Sequence, residues 1–178
     1  MKELVLTRAL ERAPFSTNIL EIGCGSGGFL GMLAARYPAA HLTAVDISPR
    51  AVRKAQRRLG NRADIKLASA QQLPFEDAAF DTVFANLTFH HWNDKQVGLQ
   101  EVARVLKPGG YFFLHDPLAE GFIEGKVLHR VAELLDGGTF IKKGELEMML
   151  NEVGLKPESI ELLPKSWGSV FLTVVIKP

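Results

Sequence analysis

Short apolar runs alternate with amphipathic stretches along most of the chain. Runs of β-branched and aromatic residues predict strands, and apolar residues spaced by three or four positions predict helices. Strands are predicted over 19–22, 41–45, 65–68, 80–85, 111–114, 160–163 and 170–176. Helices are predicted over 2–13, 29–37, 50–59, 94–106, 126–135 and 143–153. This alternation is typical of an α/β fold with a mostly parallel sheet and helices on both faces.

Residues that cap helices and form turns mark several boundaries. Ser48 is predicted to cap the third helix, with Pro49 at the first helical position, because a serine hydroxyl accepts free backbone N–H groups and proline lacks one. The segment Pro108-Gly109-Gly110 predicts a turn before the fifth strand.

Composition fits a single globular domain over residues 1–178. The chain has 178 residues, of which 47% are hydrophobic and 23% charged, which suffices for one full core. We divide it into an N-terminal helix (1–16), a ligand-binding core (17–116) and a substrate cover with the final strands (117–178).

Charge and cysteine content narrow the class of partner and the compartment. A net charge of +1 gives no electrostatic reason to expect nucleic-acid binding. The single cysteine, Cys24, excludes an internal disulfide and is typical of a reducing compartment, so we expect a cytoplasmic location. We expect neither a membrane span nor a secretory signal, because the apolar runs are short.

The segment after the first predicted strand carries glycines at alternate positions. Gly23, Gly25 and Gly28 satisfy a G-x-G-x-x-G pattern, in which a tight turn lets the backbone approach a ligand closely. Asp46 ends the next strand, about twenty residues on, where an acid commonly holds ribose hydroxyls. The pattern predicts an adenosine site at the carboxyl edge of the sheet. The alternative for Asp46 is a cap on the helix that begins near Ser48.

Glu21 distinguishes between two cofactors that contain adenosine. In a dinucleotide site the turn faces a negatively charged pyrophosphate, which a carboxylate two residues before the first glycine would repel. S-adenosylmethionine instead carries an ammonium group and a sulfonium, and a carboxylate tolerates both. Glu21 therefore favours S-adenosylmethionine. The alternative for Glu21 is an exposed charge at the end of a strand.

Five segments resemble, in the right order, the motifs of class I S-adenosylmethionine-dependent methyltransferases. They are 19–29, 45–48, 68–75, 80–92 and 101–110, and the similarity covers about residues 17–116. The closest type is the small-molecule group that includes the ubiquinone and menaquinone biosynthesis methyltransferases. The resemblance implies a Rossmann-like, mostly parallel seven-stranded sheet with an antiparallel last strand. It also implies methyl transfer to a small organic acceptor by in-line displacement, with S-adenosylhomocysteine as the product.

The resemblance implies a role for each matching position. The first motif would contact the methionine part of the cofactor through Glu21, Gly23, Cys24, Gly25 and Gly27. The next two motifs would hold the adenosine through Asp46, Ile47, Ser69, Ala70 and Gln71. Asn86 and Leu87 would lie beside the sulfonium.

Ser69 departs from the pattern of the family. Many relatives carry an aspartate there, which accepts a hydrogen bond from the adenine amino group. A serine hydroxyl can accept the same bond but is shorter and uncharged, so we expect weaker adenine selectivity or a bridging water. The alternative is that Ser69 only ends a strand.

His90 and His91 are the candidates for a general base on the acceptor, because histidine titrates near neutral pH. A transfer that needs only proximity and in-line geometry would leave both with structural roles. His115 and Asp116 follow the fifth strand and either bind the acceptor or form a satisfied pair. Cys24 is expected to pack rather than to act as a nucleophile, and no Cys/His spacing indicates a metal site.

The expected partner is a small-molecule methyl acceptor, bound by a monomer or a homodimer. Residues 118–138 suggest an apolar cover for it, and Trp92, Phe140 and Trp167 are core residues or aromatic walls. Two other functions stay open. One is a non-catalytic S-adenosylmethionine-binding partner or regulator. The other is a nicotinamide-dependent oxidoreductase, which is disfavoured because the chain has no evident substrate domain or Tyr-Lys pair.

Overall fold

The computed structural model describes residues 2–117, 137–165 and 168–178. Its helices are α1 (Lys2–Arg12), α2 (Gly28–Arg36), α3 (Pro49–Leu59), α4 (Lys95–Val105) and α5 (Lys143–Glu152). Its strands are β1 (Asn18–Ile22), β2 (His41–Asp46), β3 (Ala63–Leu67), β4 (Phe80–Asn86), β5 (Leu106–Pro117), β6 (Lys156–Lys165) and β7 (Gly168–Ile176). The helix predicted over 126–135 and the prediction for Trp167 lie outside the described residues.

The strands form one seven-stranded sheet in the order β3–β2–β1–β4–β5–β7–β6. The pairs from β3 through to β5 are all parallel. β7 pairs antiparallel with both β5 and β6, so the last strand of the chain runs against its neighbours. The predicted fold class is therefore confirmed. The strand order reverses between β1 and β4, and ligands of open α/β sheets bind at such a reversal.

Two apolar clusters cover the two faces of the sheet, because side chains alternate along each strand. In β1, Ile19 belongs to the cluster that includes residues of α1, α2 and α3, whereas Leu20 and Ile22 belong to the cluster beneath α4 and α5. Glu21 therefore shares the face of Ile19. This alternation places a carboxyl group among apolar side chains, one residue before the strand ends.

Several predicted boundaries are confirmed by their hydrogen bonds. The Ser48 hydroxyl accepts the backbone N–H of Ala51 at 3.3 Å, and Pro49 is the first residue of α3. The Asp94 carboxylate accepts the backbone N–H of Val97 at 3.0 Å and caps α4. Local capping chemistry thus fixes where both helices begin.

The turn predicted at Pro108-Gly109-Gly110 is wrong, because β5 already begins at Leu106. Pairing with β4 passes from Leu106 directly to Tyr111, so the intervening residues bulge from that ladder. Gly109 and Gly110 instead exchange backbone hydrogen bonds with Lys177, at 2.7 and 3.0 Å. Pairing with a distant part of the chain therefore extends the strand through a sequence that favours a turn.

Candidate functional site

A cavity of about 340 Å³ opens at the carboxyl edge of the sheet, near the reversal between β1 and β4. Its volume lies in the range of small-molecule sites. The residues that line it follow four neighbouring strands. Those predicted from the sequence are Gly23, Gly25, Asp46, Ile47, Ser69, Ala70, Gln71, Leu87 and His91. Those not assigned to the site are Ile22, Ala68, Thr88, Trp92 and Asn93.

One side of the cavity, which we call the glycine-turn wall, consists of Gly23, Gly25, Asp46 and Ile47. Gly25 has a φ of +54° and donates its N–H to Asp46 Oδ2 at 2.8 Å. Asp46 Oδ1 accepts the N–H of Ser48 at 2.9 Å. Because each carboxylate oxygen can accept two bonds, both keep a lone pair for a ligand. A Cβ on Gly25 would meet no atom within 4 Å, so the space above the turn is open.

Asp46 does not cap α3, so the alternative interpretation of this residue is wrong. Ser48 caps α3 with its own hydroxyl, and Asp46 receives the backbone N–H of Ser48 rather than one from the helix. The Asp46 side chain joins the end of β2 to the glycine turn and borders the cavity.

Two other glycines of the turn are needed for packing. Gly23 has a φ of +73°, and a Cβ on it would collide with Oγ1 of Thr88. Gly27 is buried with a φ of +77°, and its Cβ would lie 2.8 Å from Leu59 Cδ2 on α3. The first contact joins the turn after β1 to the loop after β4. Gly27 does not line the cavity; it lets α2 and α3 approach each other.

Glu21 lies beneath the turn and is only 2% exposed, so the alternative of an exposed charge is wrong. It is paired in register with Phe84 on the same face of the sheet. Burial raises the pKa of Glu21 to about 8; Lys2 and the Leu30 backbone N–H lower it, and Asp46 raises it. Its Oε2 atom has no hydrogen-bond partner among the described residues. The Glu21 side chain is therefore mostly protonated at neutral pH and does not line the cavity.

Cys24 is buried within the turn and does not line the cavity. Burial, together with the carboxyl groups of Glu21 and Asp46, raises the pKa of its thiol to about 12. Because the thiolate is the nucleophilic form, this environment suits packing.

The opposite side of the cavity, which we call the post-β4 wall, is the loop Leu87–Asn93. The buried carboxylate of Asp116 holds this loop from behind. Asp116 Oδ2 accepts the N–H groups of Thr88 and Phe89, both at 2.8 Å, and Oδ1 accepts the N–H of His90 at 3.3 Å. A single side chain at the end of β5 therefore sets the backbone of the wall.

The two candidate bases lie in different environments. His90 is 5% exposed, its Nδ1 is 2.6 Å from Asp116 Oδ1, and it does not line the cavity. Its ring packs 3.9 Å from that of His91, centroid to centroid. His91 is exposed and borders the cavity. His91 thus keeps its candidacy, whereas the His90 ring is held by Asp116. Asp116 was predicted to bind the acceptor or to pair with His115; it is bonded to His90, and His115 Nδ1 lies 2.9 Å from Asn86 Oδ1. Neither His115 nor Asp116 lines the cavity.

The start of the post-β4 wall has a backbone conformation that is rare outside glycine. Leu87 has a φ of +57° and donates its N–H to the His115 carbonyl at 2.7 Å. Asn86, predicted beside the sulfonium, does not line the cavity, and its Oδ1 is 2.9 Å from His115 Nδ1. Positive φ is energetically costly for a residue other than glycine and often marks a functional site. No signal in the sequence predicts this conformation at Leu87.

The turn after β3 is fixed to the post-β4 wall by the Gln71 side chain. Its carboxamide oxygen accepts the backbone N–H groups of Asn93 and Asp94, at 3.1 and 3.0 Å, and its nitrogen donates to Ser69 Oγ. The backbone N–H of Gln71 also donates to Ser69 Oγ, at 3.2 Å. Ser69 and Gln71 both border the cavity, so this network closes the end predicted for adenine.

A buried lysine secures the far side of the post-β4 wall. Lys95 Nζ donates to Thr139 Oγ1 at 2.7 Å and to the Trp92 carbonyl at 3.1 Å, and burial lowers its pKa. Trp92 borders the cavity but is only 5% exposed, so it is both a wall and a core residue. Phe140 stacks on His90 at 5.5 Å. The predicted apolar cover falls mainly on residues that are not described.

The described residues contain neither a candidate metal cluster nor a candidate membrane span. Within residues 2–117, 137–165 and 168–178, no group of three His, Cys, Asp or Glu side chains could hold a metal ion. No helix in the described part of the chain is long and apolar enough to cross a membrane.

Known proteins with similar sequences are methyltransferases. Residues 20–114 match the family described as methyltransferase domain. The chain is 31% identical over 145 residues to the O-methyltransferase cnsE of Penicillium expansum, covering 78% of this chain and 52% of that protein. It is 34% identical over 152 residues to the 27-O-demethylrifamycin SV methyltransferase of Amycolatopsis mediterranei, covering 80% and 55%. The chain thus spans only about half the length of these two relatives.

A solved structure confirms the architecture. It is a putative sarcosine dimethylglycine methyltransferase from Galdieria sulphuraria, which superposes with a TM-score of 0.85 at 17% identity and covers 99% of this chain and 84% of its own. The assignment to the ubiquinone and menaquinone group stays a prediction.

The family match covers more than half of the chain, including every strand from β2 to β4 and the walls of the cavity. The chain therefore belongs to the methyltransferase domain family, among the class I S-adenosylmethionine-dependent methyltransferases.

Proposed function

We propose that the chain binds S-adenosylmethionine in this cavity and transfers its methyl group to a small organic acceptor by in-line displacement. The observation that carries the proposal is the convergence of four motifs on one cavity. The glycine turn, Asp46, the turn around Ser69 and the loop from Leu87 to His91 are far apart in sequence and line the same space.

The residues present fit the adenosine part of the cofactor. The Asp46 carboxylate keeps one lone pair on each oxygen, which matches the two hydroxyls of a ribose. The Ile47 side chain is 71% exposed at the edge of the cavity and offers an apolar surface for a base. Ala70 and Gln71 border the same end.

The residues beneath the turn fit the methionine part. Gly23, Cys24 and Gly27 shape the turn, and Gly25 leaves open space above it. Glu21 Oε2 is buried without a partner among the described residues. A nearby ammonium group would stabilise the ionised form of Glu21, which burial alone disfavours.

The post-β4 wall would position the acceptor. Bound S-adenosylmethionine would supply a methyl group on a positively charged sulfur, which is already a good electrophile. Leu87 and Thr88 would flank the reacting atoms, and His91 would take the proton of the acceptor. Asp116 fixes the ring of His90, which would in turn position the neighbouring ring of His91.

The names of the relatives indicate the class of acceptor. One relative described above is named an O-methyltransferase, and the other is named a methyltransferase of 27-O-demethylrifamycin SV. We therefore propose a hydroxyl or carboxyl oxygen of a small molecule as the acceptor. We also propose that the protein is a monomer or a homodimer and lies in the cytoplasm. The buried thiol of Cys24 supports a reducing compartment. Size-exclusion chromatography tests the oligomeric state.

Calorimetry with S-adenosylmethionine, S-adenosylhomocysteine and NAD tests the binding. We expect both sulfur compounds to bind and Asp46→Ala to weaken them by about 1.5–3 kcal/mol, the scale of hydrogen bonds to a charged group. Asp64→Ala is the matched control, because Asp64 is an exposed acid on β3, paired with Lys66 and outside the cavity. Binding of NAD without either sulfur compound would instead support the oxidoreductase.

Turnover separates an enzyme from a regulator. Release of S-adenosylhomocysteine is measured with a panel of small hydroxyl and carboxyl acceptors. Turnover that survives His91→Ala at every pH would mean that proximity is sufficient and that no base is needed. Cofactor binding without turnover of any acceptor would support the non-catalytic alternative.

A further inference from the structure

The Ser69 hydroxyl has already used its capacity to accept hydrogen bonds. A hydroxyl has two lone pairs and one hydrogen. The backbone N–H of Gln71 donates to Ser69 Oγ at 3.2 Å, and the carboxamide nitrogen of Gln71 donates to the same oxygen. The hydrogen is therefore the group that Ser69 has left to offer to the cavity that it borders.

The hydrogen-bond partners of the Gln71 side chain support this assignment. Its other carboxamide atom faces the backbone N–H groups of Asn93 and Asp94, at 3.1 and 3.0 Å. Two donors require an acceptor, so the oxygen lies on that side and the NH₂ group faces Ser69. The reverse orientation would place the NH₂ group against these two backbone N–H donors.

The rest of this end of the cavity holds no fixed acceptor in its described side chains. Asp46 is the one carboxylate among the lining residues, and it is bonded to the glycine turn. Asn93 is exposed at the rim and has a carboxamide that can present either an oxygen or an NH₂ group. Backbone carbonyls aside, the donor on Ser69 is the fixed polar group at this end.

We infer that Ser69 acts only as a hydrogen-bond donor toward the base, so that the site accepts a 6-oxopurine cofactor about as well as adenine. This inference rests on the proposed function and specifies the ligand of the same cavity. Adenine presents a ring nitrogen as an acceptor, and hypoxanthine presents a carbonyl oxygen in place of the amino group. A donor can pair with either, whereas the aspartate of many relatives would favour the amino group.

Calorimetry with S-adenosylhomocysteine and its hypoxanthine analogue, S-inosylhomocysteine, tests the inference on the whole chain. We expect the two dissociation constants to lie within about fivefold of each other, because no fixed acceptor distinguishes them. Ser69→Asp should increase the preference for S-adenosylhomocysteine by more than about fivefold, because a carboxylate accepts from the amino group and repels the carbonyl oxygen. Ser48→Ala, outside the cavity, should leave the ratio unchanged.

Each result decides between the two ligands. A preference beyond about fivefold in the wild type, or an unchanged ratio in Ser69→Asp, overturns the inference. If Ser69→Asp does not fold, Ser69→Ala replaces it: both ligands should weaken by a similar factor, and an unchanged affinity for both overturns the role of Ser69. Binding of S-adenosylhomocysteine with the wrong ratio defeats this inference alone. A wild-type chain that binds neither ligand defeats the proposed function as well.

Discussion

The two walls of the cavity are built by different means. The glycine-turn wall takes its shape from the backbone of one turn, whose glycines are left-handed and which donates one N–H to the Asp46 carboxylate. The post-β4 wall takes its shape from Asp116, which lies near the end of β5 and holds three backbone N–H groups and one imidazole. The first wall depends mainly on backbone conformation, and the second depends on a single buried carboxylate with four partners.

This difference predicts how each wall fails. A change in the glycine turn acts through sterics and strain at one point. A change at Asp116 leaves several buried donors without an acceptor at once. The substitutions below separate these two kinds of failure, and they are ordered from the largest expected effect to the smallest.

Asp116→Ala should be the most damaging change. Removing the buried carboxylate leaves the N–H groups of Thr88 and Phe89 and the His90 ring without their acceptor, so we expect a loss of about 4 kcal/mol in the free energy of unfolding. Urea denaturation measures it. Asp94→Ala is the control, since an exposed helix cap should cost about 1 kcal/mol. Equal losses in the two variants would contradict a special role for Asp116.

Gly23→Ala should damage the contact between the walls. The new Cβ would collide with Thr88 Oγ1 and would sit at a φ of +73°, so we expect a loss of about 3 kcal/mol in stability. Gly25→Ala, at positive φ but in open space, should cost about 1 kcal/mol. Adding Thr88→Gly to Gly23→Ala removes the collision and should recover the difference. No recovery in denaturation curves would mean that strain alone, not contact, accounts for the loss.

Glu21→Gln should change how stability depends on pH. The pKa of Glu21 is about 8 in the folded protein, above its ordinary value of 4.5, so the folded state holds more protons between these values and stability falls as pH rises through them. The slope is at most about 1.4 kcal/mol per pH unit. The glutamine variant lacks this slope, and urea denaturation at pH 5, 6, 7 and 8 measures it. Parallel curves for the two proteins would contradict a protonated, buried Glu21.

Asp81 provides a control of opposite sign. Its carboxylate accepts the N–H groups of Thr17 and Asn18 and pairs with Lys107 at 2.6 Å. Although partial burial acts to raise it, these partners hold the pKa of Asp81 well below its ordinary range. Its stabilisation is therefore present above that ordinary pKa and is lost as the solution becomes more acidic. Asp81→Asn should flatten the acid side of the stability curve rather than the neutral region.

The sequence was sufficient for the features that depend on neighbours in the chain. Ser48 and Pro49 start α3, because a cap needs only the next three residues. The glycine turn was predicted from its own residues, and Asp46 from its place at the end of the next strand, about twenty residues on. The alternation of side chains along β1 buries Glu21, although one interpretation of the sequence left it as an exposed charge.

The features that depend on distant residues could not be predicted. His90 and His91 are adjacent in sequence, but the His90 ring is buried, bonded to Asp116 and stacked on Phe140, whereas the His91 ring is exposed. Gln71 borders the end of the cavity predicted for adenine, but its carboxamide oxygen is occupied by Asn93 and Asp94, which the sequence does not indicate. In each case the deciding partner lies on another element of the fold.

The inverted last strand has a consequence for the order in which the protein can fold as it is made. Asp116 at the end of β5 is paired with Phe171 in β7, so the strand that carries this carboxylate is flanked on one side by residues that are synthesised well after it. The glycine-turn wall can form as soon as β1 and β2 have left the ribosome. The post-β4 wall also needs β7, and a nascent protein stalled before Phe171 would hold half a site.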